Sequence, residues 1–251
     1  MIRRALPVFE RDALVFKNEL IGEVITTIAM PLTFLLIFGW GLGSYVGEIQ
    51  GVPYIFFVVP GLVTMAAVMS AFDDGAWGMW FHRMVQGTIN EYRVNPMTTR
   101  DIVIGKILSG FFKSTFKGIV TGLVLVVFAG FRPSLLHIFL FGLFLLPASA
   151  TFSCLGTICG TLIDTPEMLG RFEGILIMPL IFLSGAFFPV SSYPPGVQAI
   201  MRFVPTTAML DGSRETLLHG TVSPLYVAVV VASALISFLG AVEVFDRRLS
   251  D

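Results

Sequence analysis

Six apolar stretches divide this chain, and its few charges gather between them. A helix rises about 1.5 Å per residue and the hydrocarbon layer is about 30 Å thick, so a span needs about 20 apolar residues. A buried helix of a soluble domain stays apolar for only ~10–14 residues. With 55% apolar and 13% charged residues, the chain reads as an integral membrane protein.

The expected fold is an all-α polytopic membrane protein, one domain over residues 1–251. It has six transmembrane helices at about 24–42, 54–72, 102–131, 135–163, 172–188 and 225–245. Residues 1–22 are too charged to span. Leu6, Phe9, Ala13, Phe16 and Leu20 recur at spacings of three and four, so this stretch reads as an amphipathic interfacial helix. It lacks the h-region of a cleaved signal peptide. Residues 189–224 are too long and too patterned for a turn. They read as two short helices, with Thr206 or Thr207 as a cap and Gly220 as a stop. Asp164-Thr165-Pro166-Glu167 reads as a helix start.

Basic residues set the orientation. With the N-terminus cytoplasmic, the inner segments hold Arg3, Arg4, Arg11, Lys17, Arg83, Arg93, Arg100, Lys106, Arg171, Arg247 and Arg248, which is eleven. The outer segments hold Arg132, Arg202 and Arg214. Lys113 and Lys117 fall within the third span, completing the sixteen. Both termini are therefore expected inside.

No G-x-x-x-x-G-K-[ST] loop occurs, and Ile104-Gly105-Lys106-Ile107 lacks both the loop and the hydroxyl. His82, His137 and His219 fall in different segments, and no G-x-S-x-G elbow is present. No catalytic, cofactor-binding or metal-binding residues are expected in the chain, and no nucleic-acid partner. Cys154 and Cys159, five apart, lie ~140° apart around a helix and read as packing residues.

Lys113 and Lys117 share a helix face with Lys106, Gly110 and Thr121. A charge at mid-bilayer costs ~2.5–3.5 kcal/mol on insertion scales, so a partner is expected. Counted at ~1.5 Å per residue, Lys113 lies ~27 Å below Phe131, and Asp73 and Asp74 lie ~29–30 Å below Tyr54. The matching depth suggests an intramembrane charge cluster of Asp73, Asp74, Lys113 and Lys117. The other reading is that the third span starts lower and Lys113 snorkels. Lys117, sitting higher, could instead meet a substrate headgroup.

Three segments in order resemble the membrane subunit of ABC-2 type exporters. They are Glu91-Tyr92-Arg93-Val94-Asn95-Pro96 with Gly105-Lys106, then Ser184-Gly185-Ala186-Phe187-Phe188-Pro189-Val190, then Phe203-Val204-Pro205-Thr206-Thr207 with Asp211-Gly212, Arg214 and Gly220. The resemblance implies a homodimeric conduit in the bacterial inner (plasma) membrane. Two copies of a separate ABC ATPase subunit, which carry the ATP and Mg, would dock beneath it. The exported substrate would be hydrophobic, glycan or lipid-linked, passing through a conduit lined by spans one, two and five. Residues 80–95, ended by Pro96, would form the coupling helix, with Arg83, Gln86, Asn90, Glu91 and Arg93 facing the ATPase. The N-terminal helix would touch the ATPase as well. The helices of 189–224 would dip into the outer leaflet as short re-entrant helices, forming a lid or merely an external seal. Phe187, Phe188, Asp211, Arg214 and Glu215 would form the outer gate. Two rivals predict other features. An ion-coupled secondary transporter calls for paired repeats and an acid at mid-depth. A membrane-embedded assembly factor or enzyme calls for clustered catalytic groups. Neither pattern is visible in the sequence.

Overall fold

The computed structural model describes residues 2–87 and 98–250. The expected coupling residues Asn90, Glu91 and Arg93 lie outside the described residues. Among the described residues, six helical segments are long and apolar enough to cross a membrane: Ala5–Val46, Tyr54–Met84, Arg100–Ala129, Leu135–Leu162, Pro166–Ala186 and Pro224–Arg248. The protein is an all-α polytopic membrane protein.

Helix α1 (Ile2–Phe34) runs without a break from the charged N-terminal stretch into the first span. The expected separation near Gly22 does not occur. Glu23, the charge that would mark a boundary, is neutralised by Lys117 at 3.0 Å, so the helix continues through it. A π-helical stretch, Leu35–Leu42, and a short α2 (Gly43–Val46) end the span. A two-residue hairpin then pairs Glu48–Ile49 with Val52–Pro53. Its turn residues Gln50 and Gly51 both have positive φ, at 54° and 78°, which a tight hairpin turn demands.

Helix α3 (Tyr54–Met84) is the axis of the bundle: 83% of its most apolar window is buried, against 11% for the first and last spans. It passes straight through Asp73 and Asp74, twelve residues beyond the boundary expected at Phe72. Trp80–Met84, expected to open a separate coupling helix, is therefore its last turn. Helix α4 (Thr99–Ala129) opens with a reciprocal cap, Thr98 accepting from the Asp101 amide while Asp101 accepts from the Thr98 amide. Helix α5 (Leu135–Leu162) is capped by Ser134, and α6 (Pro166–Phe172) by Thr165, which accepts from the Met168 amide at 3.4 Å.

The fifth span is segmented. After α6 come a π turn at Glu173–Ile177, α7 (Met178–Ile181) and a second π turn at Phe182–Ala186, where Gly185 sits at φ 105°. Two short helices follow, α8 (Pro195–Phe203) and α9 (Pro205–Arg214), and α9 winds on through Glu215–His219 to Gly220 at φ 66°. The cap expected at Thr206 or Thr207 is not used. Pro205 starts α9, and the Thr207 hydroxyl reaches back to the Met201 carbonyl at 2.7 Å. Helix α10 (Pro224–Ser250) closes the chain.

The closest helix contact is between α3 and α5. A Cβ on Gly156 would meet the Phe72 carbonyl, and one on Gly160 would meet the Ala76 carbonyl. One on Gly75 would lie 2.5 Å from the Ser153 carbonyl. Bare backbone lets the helices approach where lipid offers no hydrophobic drive to hold them together. Two α5 hydroxyls along this seam are satisfied locally, Thr157 donating to the Ser153 carbonyl and Thr161 to the Thr157 carbonyl.

Gly156→Val is expected to force α3 and α5 apart, while Gly142→Val, whose Cβ position is empty on the same helix, leaves the fold intact. Thermal unfolding in detergent should show a loss of about 1–3 kcal/mol or more for the first and none for the second.

Candidate functional site

The structure gathers charge in three places: along α1, α3 and α4, at one end of the bundle, and beneath α9. The first is the largest. Lys117 Nζ lies 2.9 Å from Asp74 Oδ2 and 3.0 Å from Glu23 Oε2, and its side chain is 5% exposed. Lys113 lies 3.6 Å from Asp74 Oδ1. One helical repeat of eleven residues below, Lys106 meets Asp12 Oδ2 at 2.6 Å, with both groups buried. Asp12 to Glu23 and Lys106 to Lys117 are each eleven residues, close to three turns. The parallel helices α1 and α4 are thus locked in register at two levels ~16 Å apart. Between the levels Phe16 meets Phe116 edge to face at 5.8 Å, and Phe9, one turn before Asp12, meets Phe112 in the same way at 5.6 Å.

Asp73 is adjacent to Asp74 in sequence but is not part of the ion pairs, and its Oδ1 is buried with no hydrogen-bond partner among the described residues. It faces a cavity of about 740 Å³ between α1, α3, α4 and the start of the fifth span. Six acids line this cavity, Asp12, Glu19, Glu23, Asp73, Asp74 and Glu173, against Arg11, Lys113 and Lys117. Glu173 accepts from the Trp77 indole N–H at 3.0 Å.

The second cluster lies at the end of the bundle where α1 begins and α3 and α5 end. Arg83 donates to Asp164 Oδ1 at 2.7 Å and to the Ile163 carbonyl at 2.6 Å, and Trp80 donates to the Asp164 carbonyl at 2.9 Å. Arg248, near the end of α10, meets Asp164 Oδ2 at 3.2 Å, and Arg100 meets Asp246 at 2.8 Å. Gln86 accepts from Arg11 at 2.8 Å, and Arg11 also meets His82 Nδ1 at 2.8 Å. The first turns of α1 and the last turns of α10 therefore lie at this end of the bundle. The hydrogen bond from Arg83, with the charge of Arg248 beside it, holds the Asp164 carboxyl below its ordinary range. The latch keeps its strength at neutral pH and loosens only as pH falls through that lowered value.

The third cluster is built on Arg214, which is 5% exposed. Its guanidinium donates to the Phe57 carbonyl at 3.3 Å, to the Ala186 carbonyl at 3.0 Å, to the Gly185 carbonyl, and to Asp211 at 3.2 Å. It also lies 4.2 Å from the centroid of the Phe57 ring. Glu215 turns away and accepts from the Ser223 amide at 2.7 Å. Phe187 packs with Phe34, Phe38 and Phe182, and Phe188 stacks on Tyr54 at 5.9 Å. The break at Gly185 frees backbone carbonyls, and Arg214 supplies the donors for them.

Of the residues expected from the sequence, Asp74, Lys113 and Lys117 come together, with Asp73 beside them. Asp211 and Arg214 pair, while Glu215 does not join them. Arg83 and Gln86 have their side chains engaged within the chain. Asp12, Glu23, Glu173 and Asp164 were missed, although the matched spacing of eleven on α1 and α4 was present to be read.

Among the described residues, six apolar helices gathered around a charged cavity define a polytopic membrane protein with an internal polar site. The chain belongs to the ABC-2 type transporter family, whose model matches residues 9–218. It is similar to Nodulation protein J of Rhizobium leguminosarum bv. viciae, 26% identical over 246 residues, covering 97% of this chain and 94% of that protein. Nodulation protein J of Sinorhizobium fredii (strain NBRC 101917 / NGR234) is 28% identical over 253 residues, covering 97% and 93%. The inner membrane transport permease YadH of Escherichia coli (strain K12) is 29% identical over 201 residues, covering 80% and 75%.

Lys117→Met is expected to destabilise the protein because it removes the cation of Glu23 and leaves Asp74 only the longer contact to Lys113. Adding Asp74→Asn should return part of the loss. A double-mutant cycle by thermal unfolding should give a coupling of about 1–3 kcal/mol, and additive losses would mean that the two side chains do not interact.

Proposed function

We propose that this chain is the permease subunit of an ATP-driven exporter. It works as a homodimer in a bacterial inner membrane with both termini cytoplasmic, and moves a hydrophobic, glycan or lipid-linked substrate outward. It hydrolyses nothing itself; two copies of a separate ABC ATPase supply the energy. The observation that carries this reading is the second cluster, set in a chain of the ABC-2 family. Arg11, Arg83, Arg100 and Arg248 crowd one end of the bundle, as the positive-inside rule asks of a cytoplasmic face. That face brings together the ends of α1, α3, α5 and α10, so a push there reaches four helices at once.

The segment after α3 is the natural handle. Asn90, Glu91 and Arg93 are among its polar groups, and in sequence the segment follows a helix that packs against most of the bundle. Arg83 has a different part in this scheme. Its side chain is spent on Asp164, so it joins α3 to the α5–α6 turn and passes motion inward. Asp74 with Lys117 then carries that motion to α4 and α1. At the far end, α8 and α9 act as the lid, held by Arg214 against the break in the fifth span.

Charge reversal at Glu91 or Arg93 should reduce co-purification with the ABC ATPase partner, at unchanged thermal stability. Unchanged co-purification and unchanged transport would refute the assignment. Arg83→Glu should instead lower stability, because it opens the Asp164 latch.

Labelling of single cysteines at the two termini should succeed only from the cytoplasmic side. Labels on opposite faces would overturn the orientation.

A further inference from the structure

The cavity contains an acid that has no ion-pair partner among the described residues. Asp73 Oδ1 is buried without a partner among the described residues. The neighbouring lysines are already committed, Lys117 to Asp74 and Glu23, and Lys113 to Asp74. Those two lysines and two acids balance one another. Glu173, on the cavity wall contributed by the fifth span, meets among the described residues a neutral donor, the Trp77 indole at 3.0 Å. At membrane depth an ionisable group pairs or lines a water-filled path, and an unpaired acid invites positive charge from outside.

A metal ion does not fit. Among the described residues no three His, Cys, Asp or Glu side chains are placed to hold one. The rest of the lining suits a bulky organic group. Met65, Met69 and Met178 face the same space as Trp77. Thioethers repack around varied shapes, and an indole face attracts cations. The cavity volume of about 740 Å³ lies in the range that encloses a small molecule.

We propose that this cavity binds an organic cation carried on an apolar body, with Asp73 as its counter-charge and Glu173 as a second acceptor. On the export reading above, on which this part rests, the cation belongs to the transported molecule. The ammonium of a bilayer aminolipid has the same chemistry and is separated from a cargo by one arm of the test.

The full-length chain, purified in detergent, is dialysed to equilibrium against radiolabelled tetraphenylphosphonium. Saturable binding is expected, and neutral triphenylphosphine oxide should not compete. Asp73→Asn should weaken binding roughly tenfold or more, as loss of a contact to a charged group does. Asp73→Glu should retain binding. No saturable binding, equal competition by the neutral probe, or wild-type affinity in Asp73→Asn would each overturn the proposal. If Asp73→Asn does not fold, Glu173→Gln and the neutral probe carry the same test. Displacement by short-chain phosphatidylethanolamine but not by phosphatidylglycerol supports the cation site and gives it to an aminolipid. No displacement by either supports it and gives it to a cargo. The dialysis involves no ATPase, so its failure leaves the permease reading standing, and a failed ATPase association leaves the dialysis result standing.

Discussion

In hydrocarbon, a polar group that leaves water must find its partner inside the protein. Much of the architecture follows from that rule. The lysines of α4 cannot lie against lipid, so they turn toward α1 and α3, where Asp12, Glu23 and Asp74 neutralise them. Because the pairs stand eleven residues apart on both helices, they fix the sliding register of α1 against α4 as well as the contact. Apolar packing alone would tolerate a slip of one turn. Two ion pairs at ~16 Å spacing do not, since the slip would strand all four charges.

The same rule explains the broken fifth span. A helix that ends within the membrane leaves carbonyls bare. Gly185, at φ 105°, makes such an end, and Arg214 comes from α9 to fill it. Arginine suits the task because its five donors form a rigid planar fork, which reaches three carbonyls and Asp211 together. Lysine, with a single nitrogen, could not join the second span, the fifth span and α9 in one contact.

The spans were legible because length and hydropathy are local properties. The depth argument for Asp74 with Lys113 and Lys117 was legible because a rise of ~1.5 Å per residue converts sequence into depth. What escaped was set by partners. Glu23 looks like a boundary when read alone and becomes interior only once Lys117 faces it. Asp73 and Asp74 look like the end of a span for the same reason, so α3 was read twelve residues short. The Asp164 latch joins residues more than eighty positions apart, and no local pattern marks it. Gly156-Thr157-Ile158-Cys159-Gly160 was the missed signal that sequence could have supplied. Two glycines four apart in an apolar helix mark a face where another backbone comes close.

The placement of these contacts bears on how a push could travel. Helix α3 is enclosed on nearly all sides and touches α5 through bare glycine backbone, so it cannot bend independently of α5. Helix α1 and the fifth span are different. Both are largely exposed, and both contain π-helical turns, at Leu35–Leu42 and at Glu173–Ile177 with Phe182–Ala186. A π turn adds a residue to the helical ladder and leaves a local irregularity where a helix deforms more easily. The cavity lies between the rigid α3 and these two irregular helices. Motion entering at the Arg83–Asp164 end would therefore move α3 and α5 as one body, and the change in shape would fall on α1 and the fifth span. Those are two of the cavity walls, so the cavity is the part of the molecule that such a motion would open or close.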